Sequence, residues 1–126
     1  MGSERRQEAE RRGRKGEALA ALLSRCKGYR ILGQRVRTRA GEIDLVAKSP
    51  SSVVCFVEVK ARPEEGLAAE SIGQRQRARI VRAAEFYLAG RAAAKGVRFD
   101  VITVVPGRLP RHLRDAWGRM IYERAL

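Results

Sequence analysis

Soft metal ligands are scarce in this chain: one histidine and two cysteines among 126 residues. Cys26 and Cys55 fit no metal-binding spacing and lie in apolar segments, so both are expected to be free thiols of a reducing cytosol. Long hydrophobic runs are absent too, the longest falling far short of the roughly 20 residues a membrane helix needs. The N-terminus, with Glu4-Arg5-Arg6-Gln7-Glu8, offers no apolar stretch of the signal-peptide kind. These absences imply a soluble, cytoplasmic protein without a membrane partner. No repeat, low-complexity tract or dividing linker interrupts the chain, so residues 1–126 read as a single domain, large enough for one core without staples.

Acids are the other shortage, with 14 Asp and Glu against 27 Lys and Arg and a net charge of +13. Arginine dominates the excess, and a guanidinium fork can grip two phosphate oxygens at once. A polyanion is the implied partner, and nucleic acid the expected one. The few acids that enter apolar runs therefore need a reason: Glu42 and Asp44 in Gly41-Glu42-Ile43-Asp44-Leu45-Val46, and Glu58, beside Lys60, in Phe56-Val57-Glu58-Val59-Lys60.

A strand turns alternate side chains to opposite faces, so Glu42 shares a face with Asp44, and Glu58 with Lys60. Lys48-Ser49-Pro50-Ser51-Ser52 reads as a tight turn, which makes the two runs a hairpin. With the loop at Pro50 to Ser52, Ser49 pairs with Val53. Counting back puts Asp44 opposite Glu58 and Glu42 opposite Lys60, directly opposed Cβ atoms lying about 4.5 to 5.5 Å apart. Two carboxylates so close repel unless a cation lies between them or one is protonated. An exposed hairpin carrying an ordinary Glu/Lys pair is the plain alternative. Against it, Val53-Val54-Cys55-Phe56-Val57 is apolar on both parities and so reads as a central strand covered on both faces.

Around this hairpin the sequence predicts a first helix from about Arg6 to Lys27, its apolar stripe made of Ala18, Leu19, Leu22, Leu23 and Cys26, with Gly28 as the stop. Tyr29 to Arg37 reads as an edge strand guarded by Arg35, Arg37 and Arg39. A second helix runs from Ser71 or Gln74 to Gly90, with Ile80, Ala84, Tyr87 and Leu88 on its apolar side and Arg75, Arg79 and Arg82 on another. Val97 to Val105 is the last strand, and Arg111 to Leu126 a short helical cap holding Trp117. His112 is expected at the surface without a partner, and Asp100 as a structural partner of Arg98.

The order, helix, three strands, helix, strand, with an Asp on strand two and Glu-x-Lys on strand three, resembles the core of the PD-(D/E)XK, or restriction-endonuclease-like, nucleases. At closer range the chain resembles the YraN family of uncharacterised bacterial proteins, themselves similar to archaeal Holliday junction resolvases. The pattern spans Gly13-Arg14-Lys15-Gly16-Glu17, Gly28-Tyr29-Arg30-Ile31-Leu32, Gly41 to Leu45, Phe56 to Arg62, and Arg98-Phe99-Asp100-Val101. The resemblance implies an α/β fold of order αβββαβ, a mixed central sheet flanked by helices. It makes Glu17 the helix glutamate, Asp44 and Glu58 metal ligands and Lys60 the catalytic lysine. Glu42 belongs to the signature as an auxiliary residue of open role. The chain departs from the family pattern at Arg35, often Asn, and at Gln76, aligned with a Lys.

Phosphodiester hydrolysis needs an activated water and charge stabilisation at the phosphoryl oxygens, and oxygen ligands suit Mg²⁺ or Mn²⁺. Asp44 and Glu58 are expected as direct ligands and Glu17 as a further one. Flanking carboxylates favour an ammonium at Lys60, so charge stabilisation is preferred to general-base action there. Arg37, Arg39, Arg62, Arg75, Arg79 and Arg82 are expected to meet nucleic acid. The expected function is metal-dependent endonucleolytic cleavage of DNA, including branched or structured DNA, and a resolvase-like role calls for a homodimer. The alternatives are a non-catalytic nucleic-acid-binding module of the same fold, or an accessory protein whose basic surface meets an acidic partner or ribosomal RNA.

Overall fold

A computed structural model describes residues 2–62 and 73–117. In chain order the elements are α1 (Gly2–Cys26), β1 (Arg30–Thr38), β2 (Gly41–Lys48), β3 (Val54–Ala61), α2 (Gln74–Leu88), β4 (Val97–Val104) and β5 (Arg111–Leu113). The strands form one mixed sheet in the order β1-β2-β3-β4-β5. β1/β2, β2/β3 and β4/β5 are antiparallel, while β3 and β4 run parallel. A parallel pair needs a crossover, and α2 supplies it. The architecture is that of a restriction-endonuclease-like core with a short strand added at the far edge.

β3 lies at the centre of the sheet, as its two-sided apolar run requires. Leu45, Ala47, Cys55, Val57, Ile102 and Val104 pack beneath α1, and Ile43, Val46, Val54, Phe56 and Phe99 pack beneath α2. Cys55 is fully buried and Cys26 exposed, both as free thiols. Burial pushes the Cys55 thiol up to about 11, which leaves it inert.

The buried face of α1 differs from the expected one. Gly16, Ala20, Ala21 and Ser24 face the sheet, with Leu23 of the expected stripe packed against the core, whereas Leu19 and Leu22 are 43% and 56% exposed and Ala18 and Cys26 are exposed. Small residues set that face because the helix sits close to the sheet: a Cβ on Gly16 would come within 3.0 Å of the Ala61 Cβ. A leucine stripe there would hold the helix off.

The hairpin register follows the count from the turn. Ser49 N–H donates to the Val53 carbonyl at 2.9 Å, and the β2/β3 ladder runs from Lys48↔Val54 to Leu45↔Val57. There it stops. Leu45 and Ile43 are two apart yet pack on opposite faces of the sheet, so β2 must twist at Asp44. On the β1 side Arg35, at the same level, has a φ of 49°, in the left-handed region.

Two expectations fail at the sequence's far end. Residues 111–113 form β5 on the edge of β4, and Trp117 stacks on Phe99 with ring centroids 5.5 Å apart; the remainder of the expected cap, like the proposed helix start at Ser71, lies outside the described residues. His112 is also no surface residue, its side chain being only 4% exposed against Asp100. The bland reading of position 112 failed because Lys27, at the end of α1, lies 85 residues away, and only the β4/β5 pairing brings His112 onto Asp100.

Candidate active site

Where the β2/β3 ladder ends, a side chain replaces a backbone acceptor: Asp44 Oδ2 accepts the Val59 N–H at 2.8 Å. β3 stays bonded to β4 as far as Ala61↔Val104. The sheet thus parts between β2 and β3, and the parting brings Asp44, Glu58 and Lys60 together. Glu58 Oε1 accepts a 2.8 Å hydrogen bond from Gln76 Nε2 in the first turn of α2 and lies 3.3 Å from Lys60 Nζ. The Glu58 and Lys60 side chains are 12% and 16% exposed, which sets this pair apart from a solvated cross-strand pair.

Asp44 and Glu58 meet as the register requires. Burial, then the charge of Glu58, then that of Glu17 push the Asp44 carboxyl up to about 7, against the opposing pull of the Val59 N–H. Near neutral pH the Asp44 carboxyl is therefore partly protonated.

Glu17 approaches from α1, which makes it the third acid near Asp44, but its carboxylate is paired with the Arg35 guanidinium. Glu42 does not face Lys60. Because the ladder has ended, Glu42 instead stands opposite Arg37 on β1, 3.8 Å from its Nε, with a side chain 45% exposed. A cavity of about 290 Å³ opens beside Glu17 and is lined by Glu10, Gly13, Arg14, Arg35 and Glu42 as well.

Among the described residues no three His, Cys, Asp or Glu side chains form a ready cation cage. Asp44 and Glu58 nonetheless fit a hard divalent ion by their chemistry, as two crowded oxygen donors whose repulsion such an ion would relieve. Glu17, the third acid near Asp44, is a further oxygen donor once freed from Arg35.

The nucleic-acid candidates Arg37, Arg39, Arg75, Arg79 and Arg82 are all exposed and Arg62 is half-buried. The Arg79 stem packs against Gly41, its Cδ 3.2 Å from where a Cβ would stand, so the basic side of α2 meets the β1/β2 turn that carries Arg39. The sequence marked Arg35 and Gln76 only as departures from the family pattern, whereas each holds one of the cluster's carboxylates.

A sequence model described as Uncharacterised protein family UPF0102 matches residues 16–104, a span holding Glu17, Asp44, Glu58, Lys60 and Gln76. A UPF0102 protein of Maricaulis maris is 51% identical over 114 residues, covering 89% of each chain. One of Paramagnetospirillum magneticum is 50% identical over 117 residues, covering 88% of this chain and 90% of its own. One of Agrobacterium fabrum is 45% identical over 117 residues, covering 91% and 95%.

Proposed function

The chain belongs to the uncharacterised protein family UPF0102, and from its site we propose that it is a divalent-metal-dependent endonuclease that hydrolyses phosphodiester bonds in DNA. The observation that carries this reading is the meeting of Asp44 and Glu58 at a parting of the sheet, with Lys60 3.3 Å from Glu58. Asp44 and Glu58 would hold Mg²⁺ or Mn²⁺. Bound there, the ion would withdraw charge from phosphoryl oxygens and acidify a water.

The protein's own groups do the rest. Lys60, held against Glu58, presents a compact positive charge where the phosphate gains negative charge during hydrolysis. Gln76 and the Val59 N–H fix the rotamers of Glu58 and Asp44, so their oxygens need little reorganisation when a ligand arrives. Glu17, on release from Arg35, adds a further oxygen, and the freed guanidinium can take a phosphate in a bidentate grip. The exposed arginines of the β1/β2 turn and α2 bind the flanking backbone without reading sequence. Symmetric cutting of a two-fold junction would take two copies of the chain.

A second reading, a DNA-binding module of the same fold without turnover, draws on one observation: each acid of the cluster already has a protein partner. Purified protein incubated with Mn²⁺ or Mg²⁺ and linear, flapped or four-way DNA separates the two. Cleavage that chelator stops supports the enzyme; tight binding indifferent to chelator, with no product from any substrate, supports the module.

A further inference from the structure

A second constellation of titratable groups lies on the other face of the sheet. Asp100 shares its parity on β4 with Ile102 and Val104, which pack under α1, whereas Glu58 and Lys60 share theirs on β3 with Phe56, which packs under α2. Asp100 is fully buried, and its carboxylate accepts from Arg98 Nε and Nη2, both at 2.8 Å, and from the Asp115 N–H at 2.9 Å. Its Oδ2 also lies 2.8 Å from His112 Nε2. The other ring nitrogen, Nδ1, is 2.6 Å from the Lys27 Nζ at the end of α1.

Those contacts assign the imidazole's tautomer. A carboxylate paired with arginine can only accept, so Nε2 carries the hydrogen; a lysine nitrogen facing Nδ1 then finds a lone pair. Amine, imidazole and buried carboxylate stand in line, which is the order nucleophile, base and orienting acid that activates nucleophiles elsewhere. Tyr29 closes one side, its ring edge-on to His112 at 5.7 Å and its hydroxyl accepting from Arg98 at 2.6 Å.

We propose that Lys27 is an activated amine and a site of acylation by acyl phosphates, with His112 as its base and Asp100 as the group that positions His112. In the reaction the Nζ lone pair forms an amide bond to the acyl carbon, and the carbon–oxygen bond to phosphate breaks with its electron pair on the leaving phosphate. The proton shed by Nζ passes to His112 Nδ1 and from there to the departing phosphate, which restores the neutral ring. A phosphate-bearing donor suits the surroundings because exposed Arg114, with Arg98 behind it, makes the neighbourhood of Lys27 cationic. Burial, the charge of Arg114 and that of Arg98 lower the Lys27 pKa, against the charge of Asp100 and the face of the Tyr29 ring 5.7 Å from Nζ.

The test treats the full-length protein with acetyl phosphate at neutral pH and follows each lysine by peptide mass spectrometry. A general base of this kind is worth at least about tenfold, so Lys27 should be acetylated about tenfold or more faster than exposed Lys15 and Lys95. That advantage should vanish in His112→Gln. Equal rates at the three lysines, or an undiminished advantage in folded His112→Gln, overturn the proposal. Should His112→Gln not fold, the wild-type pH profile decides, since Lys27 must reach its plateau rate at lower pH than the side-chain amine of free Nα-acetyllysine, and a plateau at the same pH overturns the proposal. In a parallel arm with the phosphate-free N-hydroxysuccinimide ester of acetic acid, Lys27 should lead by less; a lead seen only in this arm refutes the acyl phosphate as donor.

Discussion

The Asp44 carboxylate stands where a β2 backbone acceptor would otherwise meet the Val59 N–H, at 2.8 Å. One side chain therefore ends a ladder and opens a site. With β4 still bonded along its other side, β3 keeps its place while its β2 side is free, and Glu58 and Lys60 sit on this fixed strand beside the opening. Preorganisation of this sort is what electrostatic catalysis requires.

The raised carboxyl of Asp44 gives a pH signature. A carboxyl whose pKa rises from 3.8 to about 7 on folding binds its proton more tightly in the folded chain. Its contribution to stability is therefore full below about pH 4 and is lost as pH rises to about 7. Across that window the slope from one such group is at most about 1.4 kcal/mol per pH unit. In metal-free urea unfolding, wild type should lose stability relative to Asp44→Asn as pH rises through the window. A difference that stays flat would contradict the raised Asp44 carboxyl.

Divalent cations should reverse that penalty. With Mn²⁺ at neutral pH the thermal midpoint of wild type should rise, by an amount that grows with ion concentration over Kd, and chelator should return it. Asp44→Asn and Glu58→Gln should each abolish the shift. If either variant gains as much as wild type, the ion binds elsewhere.

Asp100 should behave oppositely in acid. Burial raises its pKa, but the hydrogen bonds from His112, Arg98 and the Asp115 N–H outweigh this and hold it below the usual carboxylate range. Its stabilising effect is thus present above its unfolded pKa and lost as pH falls through the folded one. Asp100→Ala leaves Arg98 without its partner and should cost about 3 to 5 kcal/mol in chemical denaturation. A loss under about 1 kcal/mol, the usual worth of an exposed pair, would contradict the role assigned to this network.

Much of the site is legible in the sequence because local rules govern it. The Ser49-Pro50-Ser51-Ser52 turn fixes the register, which carries Asp44 to the end of the ladder beside Glu58. The same count misplaces Glu42, since it carries the ladder past the point where the Asp44 side chain takes over a backbone bond. α1 misleads for another reason: hydrophobicity marks Leu19 and Leu22, while closeness to the sheet selects Gly16 and Ala20. His112 carries no local signal, because Lys27 lies 85 residues away along the chain, and Gln76 is marked only by its departure from the family pattern.

Exposed arginines imply salt-sensitive DNA binding. The logarithm of the association constant should fall with the logarithm of salt at a slope of about 0.9 for each duplex phosphate neutralised, with little preference for base sequence. Arg79→Ala and Arg82→Ala together should lower that slope by about 2. Binding that ignores salt would sever these residues from the phosphate backbone.

Cleavage by Lys60→Ala tests the central claim most directly. In a metal-supported DNA cleavage assay, wild type should cut, whereas Lys60→Ala should lose at least about a hundredfold in rate while retaining the fold and most of the DNA affinity, which the many other cations supply. Lys60→Arg should keep a trace, having the charge without the compact ammonium. Metal-dependent cutting that persists unchanged in Lys60→Ala would contradict the account and place the active site elsewhere.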